Sequence, residues 1–135
     1  MQALTVKEPW LSCILFYGKD IENRSYKFPS WAINKAIALH TSKAVDKNQS
    51  NYLQATHGIA IDNLLPLGRI IVIAKITKSS IHMQSPWAVV GNHHWHITVD
   101  FILPTPLPAK GQLGLWQIPA EIELAILDQL KNSTK

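Results

Sequence analysis

The segment Gly68-Arg69-Ile70-Ile71-Val72-Ile73-Ala74-Lys75-Ile76 constrains this chain more than any other. Its β-branched side chains lose rotamer freedom in a helix and pack well on a pleated surface. The run therefore predicts a central strand. A long alternating stretch, His94 to Leu103, predicts another, and shorter runs at Leu4–Val6, Ile21–Tyr26, Ala36–His40 and Leu113–Ile118 complete a set of five or six strands.

Helices are expected at the start, middle and end. Pro9 suits a first helical residue, with Glu8 at the positive end of the helix dipole. Trp10, Cys13, Ile14 and Tyr17 then keep helical spacing until Gly18 supplies a left-handed cap. Val45 to Ala55 reads as a second helix. A third starts at Pro119 and shows an apolar stripe through Ile122, Ala125, Ile126 and Leu130, with Asn132 to Lys135 expected to fray. Pro104, Pro106 and Pro108 predict an extended connection, since each fixes φ and lacks a donor. Strand and helix do not alternate, which argues against a doubly wound sheet. The pattern predicts a mainly β, α+β domain: a small curled sheet or barrel.

At 135 residues the chain is expected to form one domain, residues 1–135 with a core of about 4–131, large enough to bury a core without staples. Cys13 is the only cysteine, so no internal disulfide forms. The N-terminal residues do not read as a signal peptide, and Ile70 to Ala74 is too short to span a bilayer, so a cytoplasmic, non-membrane protein is expected. The formal charge of +4 leans towards an anionic partner. Residues 1–47 hold seven basic residues against four acids, while the last 25 residues hold two against three. Either one face is presented to phosphates or the lysines are scattered for solubility.

Polar residues concentrate at Gly18-Lys19-Asp20-Ile21-Glu22-Asn23-Arg24. Strand geometry from Asp20 places Asp20, Glu22, Arg24 and Tyr26 on one face, with Ile21 and Asn23 on the other. Lys19, at the preceding turn, reaches the same face as Glu22. The plain alternative is a surface ion-pair ladder of little energetic consequence. His40 reads as a hydrogen-bonded core histidine or a site-lining one. Ser42 and Lys43, at the exit of that strand, bind a phosphate oxygen or cap the next helix. His94 and His96 share a strand face, but the spacing offers no third ligand, so no metal is expected and the pair reads as polar positions on a solvated face. Of five tryptophans, Trp95 and Trp116 are expected inside, Trp10 and Trp87 at a cleft, and Trp31 in either place.

Pro9-Trp10, the segment from Gly18 to Tyr26, Ile37-Ala38-Leu39-His40-Thr41-Ser42-Lys43, Ser85-Pro86-Trp87 and Lys110-Gly111-Gln112-Leu113-Gly114-Leu115-Trp116 together resemble the ASCH domain family, a PUA-like β-barrel group. The likeness runs from Leu4 to about Trp116. Where the family commonly has arginine-glycine before the His-bearing strand, this chain has Asn34-Lys35, with Lys35 in place to replace the arginine at the cleft edge. The resemblance implies a PUA-like barrel of five or six strands with two or three flanking helices. It also implies a basic cleft around Lys19, Glu22 and Arg24 that takes RNA or a modified nucleoside, and it favours His40 as a site-lining residue; Trp10, Ser42 and Lys43 are expected to contribute as well, with no cofactor. Some family members are enzymes. A small hydrolase, a ribonuclease or one acting on acylated nucleosides, is the alternative, with Lys19 and Glu22 as its catalytic residues. One group of these pairs a lysine with a threonine three residues later. Glu22 stands at that position, and a carboxylate replaces the threonine hydroxyl poorly as an acyl acceptor. A protein-interaction module is the third reading.

Overall fold

The computed structural model describes residues 1–133. Its strands are β1 (Gln2–Glu8), β2 (Ile21–Arg24), β3 (Ile37–Val45), β4 (Arg69–Ser80), β5 (His93–Pro108) and β6 (Leu115–Gln117). The α-helices are α1 (Trp10–Phe16), α2 (Ser50–His57) and α3 (Ala120–Asn132). All six strands form one sheet in the order β2-β5-β4-β3-β1-β6. Only β1 and β3 run parallel; the other pairs are antiparallel. Among the described residues no helix is long and apolar enough to cross a membrane.

The β-branched run is central, as its composition requires. In β4, Ile71, Val72, Ala74 and Ile76 face one core, with Leu4, Leu39, Phe28 and Trp95. Ile70 and Ile73 face a second, with Ala38, Trp116 and Ile126 of α3. Each fully buried aliphatic side chain of this kind contributes about 1.5–3 kcal/mol, so a strand committed on both faces anchors the sheet.

Several boundaries differ from those expected. The middle helix starts at Ser50 rather than Val45, because β3 continues to Val45 and Asp46 N–H is bonded to the carbonyl of Glu8 at 2.7 Å. Ser42 and Lys43 accordingly lie within a strand and cap no helix. The proline-rich segment belongs to β5, not to a connection. Only the first part of β5 has β2 beside it, and the Ile97 N–H still bonds the Asp20 carbonyl at 2.9 Å, so beyond Ile97 no strand on that edge calls for N–H donors and prolines fit there. Asn132 ends α3 and Ser133 caps it, while Thr134 and Lys135 lie outside the described residues, so the expected fraying is not seen at Asn132.

Nor is the sheet closed into a barrel, since β2 and β6 each pair on one side only. It does curl strongly. Three strands separate β2 from β1 in the hydrogen-bonded order, yet Arg24 Nη2 on β2 donates to the carbonyl of Thr5 on β1 at 3.1 Å. That near-closure creates a hollow between the two strands, with α1 at its side.

Candidate functional site

Lys19 is positioned by the end of α1. Gly18 adopts φ +72°, and across it the Lys19 N–H bonds the Cys13 carbonyl at 3.1 Å. This turns the lysine inward, where its side chain is 3% exposed. The ammonium donates to the carbonyl of Ile21, lies 3.5 Å from Glu22 Oε1 and sits 5.8 Å from the centre of the Trp10 ring. Glu22 Oε2 accepts from Arg24 Nη2 at 3.0 Å. One buried carboxylate thus bridges two cations. Burial pushes Lys19 below the usual lysine pKa, while Glu22 pulls it back up. Behind it, burial also drives the Cys13 thiol up to about 11, against the opposing pull of Lys19.

Glu22 and Arg24 do share a face, the one that carries Trp95 opposite Glu22, and the Arg24 guanidinium lies 5.4 Å from the Trp95 ring centre. Asp20 does not join them. Its carboxylate accepts from Ser85 Oγ at 2.5 Å, outside the hollow, because β2 begins only at Ile21. Tyr26 is also outside the strand, half-exposed and edge-on to Trp95. Lys35 does not reach the cleft edge but lies over the ring of Trp31, which is itself exposed.

These groups line a cavity of about 580 Å³ whose walls include Trp10, Tyr52 and Trp87. Trp10 is held by a bond from its Nε1 to Asp46 at 2.8 Å and meets Tyr52 edge-on. Trp87 stacks on His57 at 3.8 Å. Asn23 clamps the loop that carries Trp87, donating to the Trp87 carbonyl and accepting from Val89 N–H. Nothing in the sequence singles out Tyr52, His57 or Asn23. The first two sit on α2, where only tertiary packing brings Tyr52 to the wall and His57 against Trp87. The strand pattern puts Asn23 on the opposite face, and its amide, able to donate and accept at once, is the one signal the sequence offers.

Trp10, Lys19, Glu22, Arg24 and Ser42 line this one cavity. His40 and Lys43 line a second cavity of about 840 Å³, which shares Thr5, Ser42, Gln112 and Leu113 with the first. His40 is buried, with Nε2 2.7 Å from the Ala109 carbonyl and Nδ1 3.2 Å from Thr5 Oγ1. A carbonyl can only accept, so Nε2 carries the proton and Nδ1 accepts from Thr5, whose oxygen in turn accepts from Trp116 Nε1. His40 is thus a core histidine that forms the cavity wall, and burial lowers its pKa below the ordinary value.

His94 corrects the expectation of a solvated face. It is 1% exposed, with its two nitrogens at the carbonyls of His82 and Val89, because the loop after β4 folds over it. His96 instead meets Ser80 Oγ at 3.0 Å. Trp95 and Trp116 are buried, and Trp10 and Trp87 line the cavity. Glu8 does more than favour the helix dipole. It is wholly buried and accepts from Ser12 N, Ser12 Oγ and Leu65 N, tying α1 to the segment before β4.

The charge is not scattered. The two adjoining cavities hold six of the thirteen basic side chains (Lys7, Lys19, Arg24, Lys43, Arg69 and Lys110) but one of the nine acidic ones, Glu22. The rest of the chain holds seven basic and eight acidic residues, so the whole positive excess lies at this double hollow. No family model matches this chain, and no curated protein matches it.

Proposed function

We propose that this chain is an ASCH-type, PUA-like domain that binds RNA or a modified nucleoside in the cavity around Lys19, Glu22 and Arg24. The observation that carries the reading is one carboxylate held between two cations at the base of an aromatic-walled hollow. Trp10, Tyr52 and Trp87 offer ring faces on which a base can stack, a contact worth about 1–3 kcal/mol per base. Glu22 accepts from ring or exocyclic N–H groups. Lys19 and Arg24 donate to a carbonyl or a phosphate oxygen. The strong curl of the sheet, which brings Arg24 to Thr5, supports the PUA-like assignment.

A second reading, a small hydrolase, draws support from the desolvated Lys19, whose lowered pKa suits an ammonium that stabilises developing negative charge or gives up its proton. Both readings are tested by titrating the purified protein with nucleosides and short single-stranded RNAs, then assaying the mixtures for cleavage or deacylation. We expect binding that weakens with salt and is reduced about tenfold or more by Lys19→Met, the loss of a charged hydrogen-bond donor. Products that vanish in Lys19→Met would select the hydrolase. Neither binding nor turnover would discard both.

A further inference from the structure

The second cavity plays no part in the proposal above. Three cations enter it from three parts of the chain: Lys43 from β3, Arg69 from β4 and Lys110 from the segment after β5. No acidic residue lines it, and among the described residues none of the three cations forms an ion pair. Mutually repelling side chains gathered without a counter-charge favour an anion between them.

The cavity is built by two glycines. Gly68 has φ +68°, and the stem of Lys43 lies across it, 3.1 Å from where a β-carbon would stand. At Gly111 a β-carbon would lie 2.8 Å from both the His40 ring and Thr5 Oγ1. Side-chain-free backbone therefore leaves the room in which Lys43 is laid down and the histidine wall fits. Ser42, on the boundary of the two cavities, accepts from Ala44 N–H at 3.0 Å, leaving its own hydroxyl proton to donate. Arg69 adds a planar fork suited to two oxygens of one phosphoryl group.

We infer that the second cavity is a phosphoryl subsite, and that one ligand spans Ser42, its base in the first cavity and its phosphate among Lys43, Arg69 and Lys110. The spanning rests on the nucleoside reading of the first cavity; the subsite itself does not. A nucleotide is then preferred to a nucleoside.

Calorimetry with inorganic pyrophosphate at low ionic strength tests the subsite alone. Binding is expected in the wild type, weakened about tenfold or more in the Lys43→Gln/Arg69→Gln double variant and measurably in Lys110→Gln, an exposed position that leaves folding intact. Lys75→Gln, remote from both cavities and paired with Asp100, should not change it. Failure of the folded wild type to bind pyrophosphate, or equal binding by the variants, overturns the subsite. The second arm compares the four common ribonucleosides with their 5′-monophosphates. Tighter binding of monophosphates, lost in the double variant, supports the spanning ligand. Pyrophosphate binding without any gain for monophosphates overturns the spanning and leaves a site for free phosphate. Pyrophosphate binding with no nucleoside or nucleotide bound overturns the spanning too, and refutes the reading of the first cavity while the subsite stands.

Discussion

Glu22 is the residue on which the charged cluster balances. Its carboxylate is 9% exposed and serves a buried ammonium and a guanidinium at once. Removing it leaves two cations facing each other with one fully desolvated, so Glu22→Ala is expected to lower stability by about 3 kcal/mol or more in urea unfolding. Lys19→Met should behave differently. It deletes the desolvated charge and leaves Glu22 paired with Arg24, so stability should change little. Equal losses from the two substitutions would show that Lys19 is a structural strut. His40 gives a pH signature. Its folded-state pKa lies below the unfolded value, so the unfolded chain binds its proton first as pH falls. Stability tied to this group is full above the ordinary histidine value, about 6.5, and is lost as pH drops from there towards the lower folded-state value. The wild type is expected to lose more stability between about pH 7.5 and 5.5 than His40→Gln, and parallel curves would show that another group carries the effect.

At the scale of elements, β3 decides which residues meet. Its inner half supplies core side chains, and its outer half passes between the two cavities, so Ser42 serves both while Lys43 serves one. The Gly68 turn and the Gly111 crossing fix this arrangement. Gly111→Ala forces its new carbon against the His40 ring and Thr5 Oγ1, neither of which can move without losing hydrogen bonds to Ala109 or Trp116. We expect a loss of about 1–3 kcal/mol, seen as a lower melting temperature, together with weaker pyrophosphate binding. Gly68→Ala carries the left-handed backbone penalty of roughly 1–2 kcal/mol as well as its contact with the Lys43 stem. A Gly111→Ala protein as stable as the wild type would mean that the wall is plastic.

For the molecule as a whole, the positive excess collected at one double hollow sets how binding responds to salt. For a single-stranded RNA the logarithm of affinity should fall linearly with the logarithm of salt, with a slope of about −0.7 per phosphate contacted. Lys110→Gln should flatten that slope by roughly one such step, while Lys75→Gln, remote from both cavities and paired with Asp100, should leave it unchanged. A slope near zero would show that the anionic backbone is not what the hollow receives.

Strand propensity, helix spacing and glycine or proline punctuation are local properties. That is why the sequence alone determined that β4 is central, that a left-handed Gly18 follows the end of α1, that α3 starts after Pro119, and that Glu22 and Arg24 are neighbours on one strand face. Tertiary structure decided everything that depends on which distant segments touch. The prolines of β5 lie in a strand because that edge has no neighbouring strand, and His94 is buried because a loop covers it. Lys19 is desolvated because α1 turns it under Trp10, and the site divides in two because the curl of the sheet brings β2 to β1 while Gly111 crosses His40. Burial and electrostatic field are sums over neighbours far apart in the chain, and no window of sequence contains them.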